Sequence, residues 1–176
     1  MWVWIFNRRA SYCDPRLTNA RVTAFNRRVT LEMTVIDPPS TASLTVHDVL
    51  EALKQSWSSA TTEEPENWTP DNLSRGQCGI SSLIIHDYFA GRLVLWKVFV
   101  GDQQVGFHYS NELPDGTAFD ATGDQFWPEE VLREPTVLER PCRLPKVGAD
   151  RYLILSKRVR DVLAKVSRVV EHYDTD

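Results

Sequence analysis

Hydrophobic positions fall into clear order from Thr45 onward. Val46, Val49, Leu50, Leu53 and Trp57 recur at helical spacing, and Thr45 with Asp48 supplies an N-terminal capping signal. Residues 58–75 are rich in Ser, Thr, Pro, Glu and Asn and read as a loop, with Trp57 and Trp68 expected to pin it to the core. A second helix is predicted over about 75–90, with Gly91 as its stop. Ile80, Leu83, Ile84, Ile85, Tyr88 and Phe89 cover most of its circumference, so this helix should be central and buried. Three strand-like runs follow at 93–100, 105–113 and 117–122. Pro114-Asp115-Gly116 forms a turn between the last two, since proline pre-sets one torsion and glycine tolerates positive φ. Residues 123–150 read as Pro-rich and irregular. A final helix over about 150–172 places Leu155, Val159, Val162, Leu163, Val166 and Val169 on one face. Helices first and an antiparallel meander after them predict an α+β fold.

The first 43 residues differ from this pattern. They carry six arginines against three acidic residues, a net +3, which leaves −7 of the chain's total of −4 for residues 44–176. Asp37 to Ser43 reads as a linker, and Phe-Asn-Arg-Arg occurs at 6–9 and again at 25–28, too short a word to establish a repeat. Three readings of this N-terminal arm stay open: an added hairpin, a basic tail, or a non-native extension upstream of a start at Met33. Residues 44–176 are expected to form a single α+β domain.

Composition narrows the function classes. The hydrophobic fraction of 42% and charged fraction of 25% are ordinary for a globular chain that builds its own core. A dispersed negative charge argues against a nucleic-acid partner, whose mark is a basic patch or stripe. No apolar run approaches a membrane span, and the basic residues of the N-terminus follow its apolar run instead of preceding it, unlike a signal peptide. The three cysteines, Cys13, Cys78 and Cys142, are odd in number and share no short spacing, which speaks against a disulfide framework and for a reducing, cytoplasmic setting.

Candidate chemistry centres on Cys78. Ser74 and Gln77 have the spacing of a capping box, which places Cys78 in the first turn of the predicted buried helix. There the unsatisfied N–H groups and the macrodipole favour an anion, the condition for a reactive thiolate. Gly76 and Gly79 would leave its flanks bare for a substrate. Against this stands plain packing, because free cysteine is among the most buried residue types. The hairpin that follows bears on the choice. His108 and Asp120 flank the Pro-Asp-Gly turn, and in any register whose paired numbers sum to an even value they share a face as direct or diagonal neighbours. A one-residue slip would separate them. In the even register Asp120 can orient the imidazole while His108 takes the thiol proton.

The remaining groups are weaker candidates. His86, beside Asp87, reads as a surface or partly buried helix residue, and no motif surrounds His47 or His172. Cys78, His108 and Asp120 are possible zinc-ligand types, but no close ligand pair anchors a site, so no metal and no organic cofactor is implied. An oxyanion would find the backbone N–H of Cys78 first, with side-chain donors from Gln77 or Asn72 as further candidates.

Gly76-Gln77-Cys78, His108-Tyr109-Ser110-Asn111-Glu112 and Asp120-Ala121-Thr122 resemble the Cys, His and Asp blocks of transglutaminase-like, papain-like cysteine enzymes. Gly79 stands where those enzymes usually have an aromatic residue, and this chain is far shorter than a full transglutaminase. A closer likeness is to the YunG-like family of uncharacterised small bacterial proteins. It runs from Leu50-Glu51-Ala52-Leu53-Lys54-Gln55-Ser56-Trp57-Ser58 through the same blocks to Gly123-Asp124-Gln125-Phe126, covering about residues 45–170. The resemblance implies a papain-like core, with Cys78 as nucleophile, His108 as base and Asp120 as orienter. Together these readings predict a thiol hydrolase, deamidase or acyltransferase acting on an amide, ester or thioester of a peptide, a protein or a small acyl compound. The alternative is a non-catalytic binding or immunity-type module on the same fold.

Overall fold

The computed structural model describes residues 44–140 and 143–173, with side chains through residue 166. The N-terminal arm, its linker, Met33, Cys13, Cys142 and the side chains of Val169 and His172 lie outside the described residues.

Helix α1, Val46–Ser56, starts where its cap was predicted. Thr45 Oγ1 accepts the Asp48 N–H at 3.2 Å, and the Asp48 carboxylate accepts the Thr45 N–H at 2.8 Å. This reciprocal pair satisfies orphan donors of the first turn and contributes about 1 kcal/mol. Helix α2, Cys78–Phe89, is buried continuously from Cys78 through Ile85. It ends at Ala90 and Gly91, both at positive φ. A Cβ at Gly91 would stand 2.2 Å from the Glu112 carbonyl oxygen, so glycine there allows the chain to turn closely against the sheet.

Strands β1, Arg92–Val100, β2, Gln103–Glu112, β3, Ala118–Phe119, and β4, Glu130–Leu138, form one antiparallel sheet in the order β3-β2-β1-β4. Helix α3, Ala149–Tyr173, closes the fold. Val49, Ala52 and Leu53 of α1, Ile80, Ile84 and Ile85 of α2, and Leu155 and Val159 of α3 form the main apolar cluster, with Trp57. Its burial is the chief force holding the helices together. Val162 and Leu163 pack at the edge of the cluster, whereas Val166 is exposed, so the predicted apolar face of α3 runs out toward its C-terminus. The architecture is α+β: three helices with a four-stranded antiparallel sheet.

Three expectations need correction. Strand β4 lies inside the stretch read as irregular. Pro135 hides it: Leu95 pairs with Thr136 and Lys97 with Arg133, so Trp96 faces an extra residue in β4, and Glu134 has φ +54°. Proline is tolerated at such a bulge on an edge strand because no ladder hydrogen bond is required of it. Trp68 does not reach the core; it is half-buried, and its indole N–H donates to the Leu73 carbonyl within its own loop at 3.0 Å. Helix α2 begins three residues later than predicted, and the cause lies at the candidate site.

Candidate active site

Gly76 sets the start of α2. Its φ of +67° belongs to the region glycine favours, and a Cβ there would meet Thr62 Oγ1 at 2.3 Å and the Glu64 nitrogen at 2.9 Å. Gly76 is therefore bare to let the 62–64 segment pack against it, not to admit a substrate. After this turn Gln77 becomes the N-cap and Cys78 the first helical residue. No side-chain cap forms: Ser74 Oγ donates to Asn72 Oδ1 at 3.4 Å, and Gln77 Nε2 donates to the Ser58 carbonyl at 3.1 Å. The predicted Ser74–Gln77 capping box is thus absent, although Cys78 still occupies the first turn. Gly79, the other predicted bare flank, faces Tyr109, whose ring carbon lies 3.9 Å from where a Cβ would stand.

The hairpin register is even. Asn111 pairs with Phe119 and Glu112 with Ala118, and the Leu113 N–H donates to the Thr117 carbonyl at 2.9 Å across the Pro-Asp-Gly turn. Continued by one step, this register sets Asp120 opposite Ser110 and diagonal to His108. Strand pairing stops at Phe119, where Asp120 enters a local turn with its Oδ1 accepting the Thr122 N–H at 3.0 Å. Its other oxygen, Oδ2, meets His108 Nε2 at 2.7 Å. On the far side of the ring, His108 Nδ1 lies 2.9 Å from Gln125 Nε2. Phe126 packs edge-on to the imidazole at 4.8 Å between centroids.

His108 is fully buried and Cys78 is 6% exposed. Burial is the largest single influence on the imidazole and depresses its proton affinity. The Asp120 carboxylate, by hydrogen bond and charge, and the neighbouring Cys78 act the other way and together push it up to about 9. Burial also pushes the neighbouring Tyr109 hydroxyl up, with Cys78 and Glu63 adding to the effect, so this phenol stays neutral. The structure therefore joins His108 to Asp120 by a hydrogen bond and sets Cys78 near enough to act on the same imidazole.

The two side-chain donors suggested for an oxyanion are otherwise engaged through one N–H each. Gln77 is fully buried on Ser58, and Asn72 Nδ2 donates to the Gln125 carbonyl at 3.1 Å. Arg75 ties the surrounding loops together, pairing with Glu64 and Glu130 at 2.9 Å each. Its guanidinium also lies over the Trp127 ring. Gln125 and Thr122 are the members that sequence reasoning missed. Gln125 stands within the Gly123-Asp124-Gln125-Phe126 word, but its contact with His108 depends on a short 3-10 turn, Gly123–Gln125, that no hydrophobic period announces. Among the described residues no group of three or more His, Cys, Asp or Glu side chains is arranged to hold a metal ion. No helix among them is long and apolar enough to cross a membrane.

No solved structure matches the chain. Over 74 residues it is 35% identical to the uncharacterized protein YunG of Bacillus subtilis (strain 168), a stretch that makes up 42% of this chain and 56% of that one. The chain thus spans just over half the length of that relative. The YunG protein family matches residues 45–164, which include both helices before the sheet, all four strands and most of α3. The chain belongs to the YunG family.

Proposed function

We propose that the protein is a thiol enzyme that transfers or hydrolyses an acyl group held as an amide, ester or thioester. The observation that carries this reading is the position of His108, whose Nε2 meets Asp120 Oδ2 at 2.7 Å while Cys78, at the start of α2, acts on the same buried imidazole and favours its charged form. Because Nε2 is committed to Asp120, Nδ1 is the atom that takes the thiol proton. Cys78 Sγ then attacks the carbonyl carbon, and the backbone N–H groups at the start of α2 face the developing oxyanion. The proton on Nδ1 passes to the leaving group as the tetrahedral intermediate collapses to an acyl-enzyme. Water or an amine, deprotonated by His108, completes the reaction. Hydrolysis, deamidation and acyl transfer share these steps, and a peptide, a protein or a small acyl compound would serve as substrate in a reducing cytoplasm. A cysteine-bearing helix set against an antiparallel sheet that carries the histidine agrees with a papain-like or transglutaminase-like core.

Iodoacetamide labelling of Cys78 across pH, mapped by peptide mass, tests the reading. Labelling well below pH 8, where an ordinary thiol is slow, and its loss in His108→Ala are the expected results. A Cys78 inert until the protein is denatured would sink the enzyme. One observation favours the second reading, a non-catalytic binding or immunity-type module: the near-complete burial of both Cys78 and His108. In that case the same network serves stability alone.

A further inference from the structure

Gln125 is buried and its amide orientation is fixed by its neighbours. Oε1 accepts the Gly76 N–H at 3.2 Å. Nε2 donates toward the Thr122 carbonyl and hydroxyl oxygens, each at 3.1 Å. Turning the amide over would set its NH2 against the Gly76 N–H and its oxygen against the Thr122 carbonyl, two repulsive contacts in a buried place. The second amide hydrogen is therefore aimed at His108 Nδ1, 2.9 Å away.

From this we infer that Gln125 is a positioning residue of the site: it donates to Nδ1 of His108, fixes the imidazole as the tautomer protonated on Nε2, and opposes the imidazolium. Asp120 accepts at Nε2 and Gln125 donates at Nδ1, so the ring is held from both ends. The lone pair that Gln125 occupies is the one that must receive the thiol proton in the acyl-transfer reading, on which this catalytic consequence rests. Gln125 and Cys78 compete for it. An imidazolium would carry a hydrogen on Nδ1 facing the amide NH2, donor against donor, and the amide must move aside for that state to form. The charged and titratable groups acting on the ring are Asp120 and Cys78, which favour its protonated form; Gln125 works against both.

NMR on the intact chain reads this directly. Above the imidazole's titration, the wild type should show scalar coupling across the hydrogen bond between Gln125 Nε2 and His108 Nδ1, with the ring proton on Nε2. A proton on Nδ1, or no coupling, overturns the inference whether or not any variant folds. Gln125→Met keeps the length and removes the donor, so the His108 titration should move up by about one pH unit, a tenfold gain in proton affinity. The pH midpoint of Cys78 labelling should move down. An unchanged or lowered His108 titration in a folded Gln125→Met protein also overturns it. Coupling and upward shift with a Cys78 that never labels support the positioning role and remove the enzyme. Labelling well below pH 8 without the coupling removes the positioning role alone.

Discussion

The two ends of α2 each have an imidazole, one buried and one half-buried, and the two are shifted in opposite directions. At the N-terminal end, His108 faces Cys78 and Asp120 and is pushed up to about 9. At the C-terminal end, half-buried His86 is pushed down to about 4. Burial is the largest influence in both cases and disfavours the charged ring in both. The neighbours decide the outcome: a carboxylate and a thiol for His108, the Arg140 guanidinium for His86. A helix C-terminus ordinarily favours a cation, yet that preference is worth at most about 1–2 kcal/mol, and here burial and a like charge outweigh it. Beside His86, the Asp87 carboxylate accepts from Arg140 at 2.7 Å and from the Tyr152 hydroxyl, which locks the end of α2 to α3. One end of the helix is thus organised around a histidine poised to carry charge, the other around a histidine kept neutral.

Asp120→Asn should break this contrast most severely. Without the carboxylate a major raising influence is gone while burial remains, and His108 should titrate well below about 9. Cys78 labelling at neutral pH should then slow by roughly a hundredfold or more, the scale of a lost acid–base group. An NMR titration that leaves His108 near 9 would remove Asp120 as the cause.

Stability against pH carries the same contrast into a second measurement. The raised His108 value contributes stability that is complete below 6.5 and is lost as pH rises through about 9. The depressed His86 value contributes stability that is complete above 6.5 and is lost as pH falls through about 4. Urea midpoints collected across this range should therefore fall on both sides. His86→Gln should flatten the acid limb and Asp120→Asn the alkaline limb. Either variant flattening the other's limb would show that the assignments are exchanged.

What could be read in the sequence follows from how local each determinant is. The Pro114-Asp115-Gly116 turn made the His108–Asp120 relation legible only as one of two registers, and the structure shows the even one. The cap and apolar face of α1 and the first part of the apolar face of α3 were legible as periodic or short-range signals. Ser74 and Gln77 misled because their spacing takes a regular chain for granted, while Gly76 at φ +67° redirects it. Strand β4 was hidden by a proline that a bulge accommodates. Gln125 was hidden more deeply, since its amide is oriented by Gly76, 49 residues earlier, and by the turn it sits in. The hairpin exposed the spacing of His108 and Asp120; the amide that meets the other side of the ring is held by a long-range contact.

Arg140→Leu tests the other end of the helix. It removes a charged hydrogen bond from Asp87 and should cost about 2 kcal/mol, read from chemical denaturation. It should also let the His86 titration climb from about 4 toward 6.5, because the repelling guanidinium is gone. A value still near 4 would assign the whole depression to burial. The smallest effect belongs to Tyr152→Phe, which removes one hydroxyl from Asp87 and should cost about 1 kcal/mol. This variant sharpens the comparison because of distance. The 12 residues of α2 span roughly 18 Å, beyond the screening length of about 8 Å at physiological salt. Tyr152→Phe should therefore leave the pH profile of Cys78 labelling where it is. Combined with Asp120→Asn, its cost should add to within about 0.5 kcal/mol. A larger coupling energy would mean that α2 transmits packing changes between its ends, and the two histidine environments would then have to be treated as one system.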